Sequence, residues 1–170
     1  MSSTPSVGGR TKSALETVKA HMAAEDRQDL DATVATFTKD CYYQVPGLGI
    51  ELRGKGEIRS WYEQTFAAVP DFRNADERYY ESNGNVFFEA KIEGTHLGTW
   101  AGWAPTGRRF SVPILVRIPI ASDGLIEAEI VYFDNAALFM QLGILPTQGS
   151  RQERVMQAIH RLRMRARRRN

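Results

Sequence analysis

Four side chains in this 170-residue chain are placed to do proton chemistry: His21, His96, Glu129 and Asp134. Glu129 shares a strand face with Val131 and Phe133. A carboxyl among such apolar neighbours is desolvated, its pKa rises, and it can act as general acid or base. The alternation of Glu127 and Glu129 with Ile126, Ala128 and Ile130 equally describes an acidic face in solvent. His96 ends an apolar strand face of Val86, Phe88, Ala90, Ile92 and Gly94. An imidazole there can shuttle protons near neutral pH, or simply bond a backbone carbonyl at the strand end. His21 lies on or beside a helical stripe of Leu15, Val18 and Met22, where it is a neutral donor to a carbonyl or a satisfied helix histidine. Asp134 can be an acid at a pocket mouth. It also stands where the next helix needs an N-cap, worth about 1 kcal/mol. Arg108 and Arg117 can bind an anionic group or stand in solvent.

The elements that must hold these groups are legible in order. Ser13 and Glu16 make a capping box that opens the first helix. A second helix is expected from Asp29, with Leu30, Val34 and Phe37 inward. A short strand follows over Cys41 to Val45, ended by Pro46 and Gly47. A third helix begins near Gly56, with Ile58, Trp61, Tyr62 and Phe66 on its apolar side. Residues 73–82 and 86–96 form a hairpin around Asn83-Gly84. Two more alternating runs surround the turn Ser122-Asp123-Gly124. Phe110, Val112, Ile114 and Val116 share one face of the first run. A last short helix runs from Asp134 to Gly143.

Helices first and long antiparallel strands after them imply an α+β fold. A curved sheet with the N-terminal helices packed on its concave face encloses a conical pocket, a cystatin-like α+β barrel suited to a small ligand. Trp61, Trp100, Trp103, Phe88 and Phe133 belong to the core or wall a planar ligand. The expected division is a disordered tail over 1–11, one domain over 12–146, and a basic, partly helical tail over 147–170.

Net charge is +2, but eight Arg against one Glu from Arg151 onward make the tail about +7 and the rest about −5. The tail's expected role is solvated or docking. Its arginines can also touch nucleic acid or an anionic surface, with no interleaved aromatic residue to stack bases. The single cysteine, Cys41, makes no internal disulfide, the start lacks a signal-peptide core, and a cytoplasmic location is the default. His21, His96 and His160 show none of the spacings of a zinc site, and no flavin or nicotinamide fingerprint appears. The expectation is therefore no metal and no cofactor.

Gly94-Thr95-His96, Pro105 to Arg108, Asp123-Gly124, and Asp134 through Gly143 resemble the C-terminal pattern of the SnoaL-like polyketide cyclase branch of the nuclear transport factor 2-like superfamily. Residues 29–40 and 54–66 resemble that superfamily's N-terminal half. The resemblance implies the fold firmly and the reaction weakly, because the fold hosts many functions. The ketosteroid isomerases' general-base Asp falls on Val45, their oxyanion-hole Asp on Ile114 and their oxyanion-hole Tyr on His21. Their supporting Tyr is matched by Tyr62. The cyclases' Asp falls on Val131, and their pocket His near Ile114. The Asp–Arg–Asp relay of limonene epoxide hydrolases falls on Val131, Arg109 and Ser111. Each of these chemistries lacks its key carboxylate.

The functional expectation is a cofactor-free enzyme of cyclase, isomerase or hydroxylase type acting on a hydrophobic polycyclic or polyketide-like molecule. Glu129 and His96 would move protons, with Asp134 a further acid. His21 and Tyr62 would orient a carbonyl or hydroxyl. Val45, Phe88, Ile114, Val131 and Phe133 would line the wall. The rival readings are a non-catalytic binding module and a protein-interaction scaffold. An outer face carrying Leu115, Ile126, Ala128 and Ile130 also suits a homodimer.

Overall fold

The computed structural model describes residues 13–167. The expected disorder of residues 1–11 lies outside them. Helix α1 (Ala14–Asp26) starts at the expected capping box: Ser13 Oγ accepts from the Glu16 amide, and Glu16 accepts from the Ser13 amide. Helix α2 (Leu30–Ala35) is capped by Asp29. Strand β1 (Phe37–Val45) leads through a 3-10 turn at Pro46–Leu48 to β2 (Ile50–Arg53) and then α3 (Gly54–Ala68). The hairpin β3 (Arg73–Ser82) and β4 (Asn85–Thr95) follows. Then come β5 (Arg109–Pro119), β6 (Ile126–Phe133), α4 (Asn135–Gln141) and α5 (Arg151–Arg167).

The six strands form one sheet in the order β2-β1-β6-β5-β4-β3. All neighbours are antiparallel except β1 and β6. Bulges interrupt β1 against β6 and β3 against β4, and bulges bend strands. The curved sheet presents Val86, Phe88, Ala90 and Ile92 of β4 and Phe110, Val112, Ile114 and Val116 of β5 to the helices, all buried. Alternation thus set the inward face of both strands correctly. Gly94 is required on that face, because a Cβ there would collide with Val69 at the end of α3.

Three sequence expectations need correction. Phe37 is not an inward helix residue; it opens β1, which starts four residues before Cys41. Its bulk is fully buried either way, so burial alone could not separate the two assignments. Strand β2 was not foreseen, since four residues between turns give too short a pattern to read. The apolar outer face is much smaller than expected. Ile126 belongs to the core, and Ala128 and Ile130 are buried too. Strand β6 lies between β1 and β5, so Tyr42, Gln44 and Arg117 flank and shield these positions. Of that set only Leu115 is open, beside Tyr132 on the next strand.

Candidate active site

Helix α1 brings His21 and Glu25 to one place because residues four apart share a helix face. Strand β6 brings Glu129 from the sheet, and α3 brings Tyr62 across. All four are buried, with His21 fully so and Glu129 at 2% exposure. The imidazole Nε2 lies 3.1 Å from Glu25 Oε1 and 3.1 Å from Glu129 Oε1. The Tyr62 hydroxyl is 2.7 Å from Glu129 Oε2 and makes a short hydrogen bond to Glu25 Oε1.

The other imidazole nitrogen settles how the ring is protonated. Thr36 donates its hydroxyl proton to the Thr33 carbonyl at 2.6 Å. Its oxygen is therefore an acceptor, 2.7 Å from Nδ1, so Nδ1 carries a proton. Nε2 is the variable nitrogen, and it faces the carboxyls. Burial alone would push the His21 pKa down. The charge of Glu129 and hydrogen bonds to Glu129 and Glu25 outweigh that and raise it to about 10. His21 is thus an imidazolium at neutral pH. Burial, and then the charges of Glu129 and Glu25, push the Tyr62 and Tyr43 hydroxyls well above their ordinary value.

Three of this quartet, Glu25, Tyr62 and Glu129, line a cavity of about 60 Å³, and His21 holds the two carboxyls from outside its lining. Val45, Ile114 and Val131 line it, as do Phe88 and Phe133, and Glu25, Glu129 and Tyr62 supply its polar end. The volume admits a few water molecules or a small organic group. A drug-sized ligand needs roughly 300 Å³ or more. Trp61 and Tyr43 stand along the wall with ring centroids 6.2 Å apart, and Tyr62 and Phe66 continue it at 5.6 Å.

Seven of the ten residues picked from sequence line this cavity, His21 reaches it only through Glu25 and Glu129, and two stand elsewhere. His96 is buried but does not line it, and its Nδ1 faces Thr106 Oγ1 at 3.3 Å. Burial lowers its pKa, so it is neutral. Asp134 is exposed and caps α4 through the Ala137 amide at 3.0 Å. Glu25 escaped the sequence reading, though its i+4 relation to His21 on one apolar stripe was available. Tyr43 and Asn74 escaped it too, because nothing local marks them. The spacing of histidines alone missed a further grouping: ligand atoms of His21, Glu25 and Glu129 lie within 4.8 Å of one another, close enough to hold a metal ion.

The model of the SnoaL-like polyketide cyclase family matches residues 15–142, which span every element from α1 to α4. The chain belongs to the SnoaL-like polyketide cyclase family. Among solved structures, a protein assigned as a polyketide cyclase from Pseudomonas putida aligns with a TM-score of 0.71 at 21% identity, over 76% of this chain and 98% of that one. AclR from Streptomyces galilaeus, assigned as a hydroxylase, aligns at 0.67 and 20% identity, over 79% and 87%. A protein of ketosteroid isomerase-like fold from Catenulispora acidiphila, in complex with trimethylamine, aligns at 0.65 and 22%, over 75% and 92%. Likeness at these identities speaks for the fold. None of the curated proteins compared with the chain matches it. Val131, Val45 and Ile114, onto which the resemblance maps the cyclase and isomerase carboxylates, are apolar residues of the cavity wall. Glu129 and Glu25 deliver carboxyls to the same cavity from other positions.

Proposed function

We propose that this SnoaL-like protein is an enzyme that moves protons on a hydrophobic small molecule, with Glu129 as general base and acid. One observation carries the reading. The Glu129 carboxyl sits at the polar end of an otherwise apolar cavity, bonded by His21 and Tyr62. In the reaction class this fits, Glu129 takes a proton from carbon beside a substrate carbonyl. The C–H electron pair becomes an enolate, whose oxygen accepts a hydrogen bond from Tyr62. Attack of the enolate carbon on a second carbonyl closes a ring and leaves an alkoxide that takes the proton back from Glu129, whereas return of that proton to another carbon isomerises the substrate. His21, held as imidazolium, offsets the negative charge as it forms.

The cavity as it stands is too small for a polycycle. A polyketide-like substrate would need Leu48, Trp61 and Phe72 at the wall to move apart. A smaller ligand needs no such movement. The Catenulispora protein's complex with trimethylamine makes a small amine one chemistry to weigh for this cavity. A non-catalytic binding module is the second reading, favoured by apolar Val45, Ile114 and Val131 at the positions to which the resemblance assigns carboxylates.

The test is α-proton exchange of a panel of cyclic ketones in deuterium oxide, followed by NMR. Wild type should accelerate exchange of at least one ketone, and Glu129→Gln should lose about 100-fold or more of that acceleration. Equal rates with the two proteins would remove Glu129 from the mechanism. Ketones that bind without any exchange would favour the binding module.

A further inference from the structure

Around the two carboxyls of the cavity, acceptor oxygens outnumber the groups that donate to them. The acceptors are the four carboxyl oxygens of Glu25 and Glu129, together with Asn74 Oδ1. Asn74 Oδ1 is buried with no partner among the described residues. The donors that bond these carboxyls are His21 Nε2, the Tyr62 hydroxyl, and the Asn74 amide, which reaches Glu25 Oε2 only at 3.5 Å and is shared with Asp26. His21 and Tyr62 each offer one proton in this direction, and each faces both carboxyls. Glu25 Oε2 is thus the least satisfied carboxyl oxygen. The Glu25 side chain is also the more accessible, at 9% against 2% for Glu129.

The arrangement of side chains around the carboxyls points the same way. Two carboxyl groups face the one His21 imidazole nitrogen, and no Lys or Arg is among the lining residues. A ligand that brings both a donor and a positive charge complements a buried carboxyl oxygen left with so weak a partner. Beyond the carboxyls, the wall is made of aromatic rings. Trp61, Tyr43, Tyr62 and Phe66 follow one another with centroids 5.6 to 6.2 Å apart. Ring faces attract cations, and aromatic walls of this kind hold alkylated ammonium groups. A neutral alcohol would supply a donor but not the charge. A carboxylate ligand would be repelled. A bare metal ion would leave the aromatic wall unused.

We propose that the cavity binds a small protonated amine, its N–H donated to Glu25 and its alkyl groups packed on Trp61, Tyr43 and Phe66. The volume of about 60 Å³ limits the occupant to a few heavy atoms. The proposal deepens the reading of this cavity as the ligand site and rests on it. Its test reads equilibrium binding without turnover, so failure here leaves the acid–base test intact, and the converse also holds.

The experiment is titration of the full chain with trimethylammonium chloride, followed by tryptophan fluorescence and calorimetry. tert-Butanol serves as a neutral probe of nearly the same shape, at matched ionic strength. Saturable binding of the cation, at least about tenfold tighter than tert-butanol, is the expected result; tenfold corresponds to about 1.4 kcal/mol. Glu25→Gln should weaken the cation about tenfold or more and leave tert-butanol unchanged. Equal affinity of wild type for both probes would mean that a proton already on the site supplies the missing charge, and would overturn the proposal. So would the absence of saturable cation binding, or cation affinity unchanged in Glu25→Gln. Should that variant fail to fold, the comparison of the two probes on wild type still decides the matter.

Discussion

His21 Nε2 and Glu129 Oε1, 3.1 Å apart, join the first helix to the last strand through a buried ionic contact. Its strength depends on pH in a definite direction. The folded protein holds the His21 proton up to about pH 10, whereas the unfolded chain releases it near the ordinary 6.5. The contribution to stability is complete below about 6.5 and is lost as pH rises toward about 10. The loss can reach ~1.4 kcal/mol per pH unit for one proton. Above that window Tyr43 and Tyr62 add to the decline, because their folded hydroxyls resist ionisation while unfolded ones do not. Urea unfolding across this range should show the slope. His21→Gln should flatten it between the two values, and an unchanged slope in that variant would assign the effect to other groups.

Asp134 is expected to matter for stability and not for chemistry. Its carboxyl accepts from the Ala137 amide, and its side chain is exposed. Asp134→Ala should lower unfolding free energy by about 0.5–2 kcal/mol, and Asp134→Asn should recover most of it. Ketone exchange should stay at the wild-type rate in both. A loss of exchange that Asn fails to restore would instead make Asp134 an acid of the reaction.

The fold was legible because its signals are local. A capping box, two turn sequences and period-two alternation fixed α1, the hairpin and the inward faces of β4 and β5. The site was legible only in part. Glu129 and its register with Val131 could be read from one strand. Its partners could not, because His21, Glu25 and Tyr62 come from two helices far away in the chain. His96 misled for the same reason: it follows the inward face of β4 one residue beyond the strand's end at Thr95, and it is not among the residues that line the cavity. The expectation of no metal rested on spacing along the chain, and spacing says nothing about groups that meet only on folding.

The outer sheet face is proposed as a homodimer interface, smaller than the sequence implied. Leu115 and Tyr132 are directly paired on β5 and β6 and are 44% and 47% exposed, so the contact would centre on them. Light scattering at micromolar concentration should give twice the chain mass. Leu115→Arg should give the single-chain mass with circular dichroism unchanged. A wild-type monomer would end this proposal.

The tail should be dispensable for the fold and the cavity. Helix α5 carries Val155, Ile159 and Leu162 at helical spacing, an apolar stripe that the sequence offered for docking on the domain. In the structure these side chains are 59%, 46% and 65% exposed, so the stripe contributes little buried area. The start of α5 is capped by its own neighbours: Ser150 accepts from the Glu153 amide, and Glu153 accepts from the Gly149 amide at 2.5 Å. Removing residues 150–170 therefore takes away the helix together with its caps. All the residues that line the cavity lie at or before Phe133. A chain ending at Gly149 should melt at the same temperature as the full chain and retain trimethylammonium affinity. A drop of several degrees would mean that the stripe packs on the domain in solution. Val155→Ser in the full chain would then reproduce part of that drop, whereas replacing the exposed arginines would not.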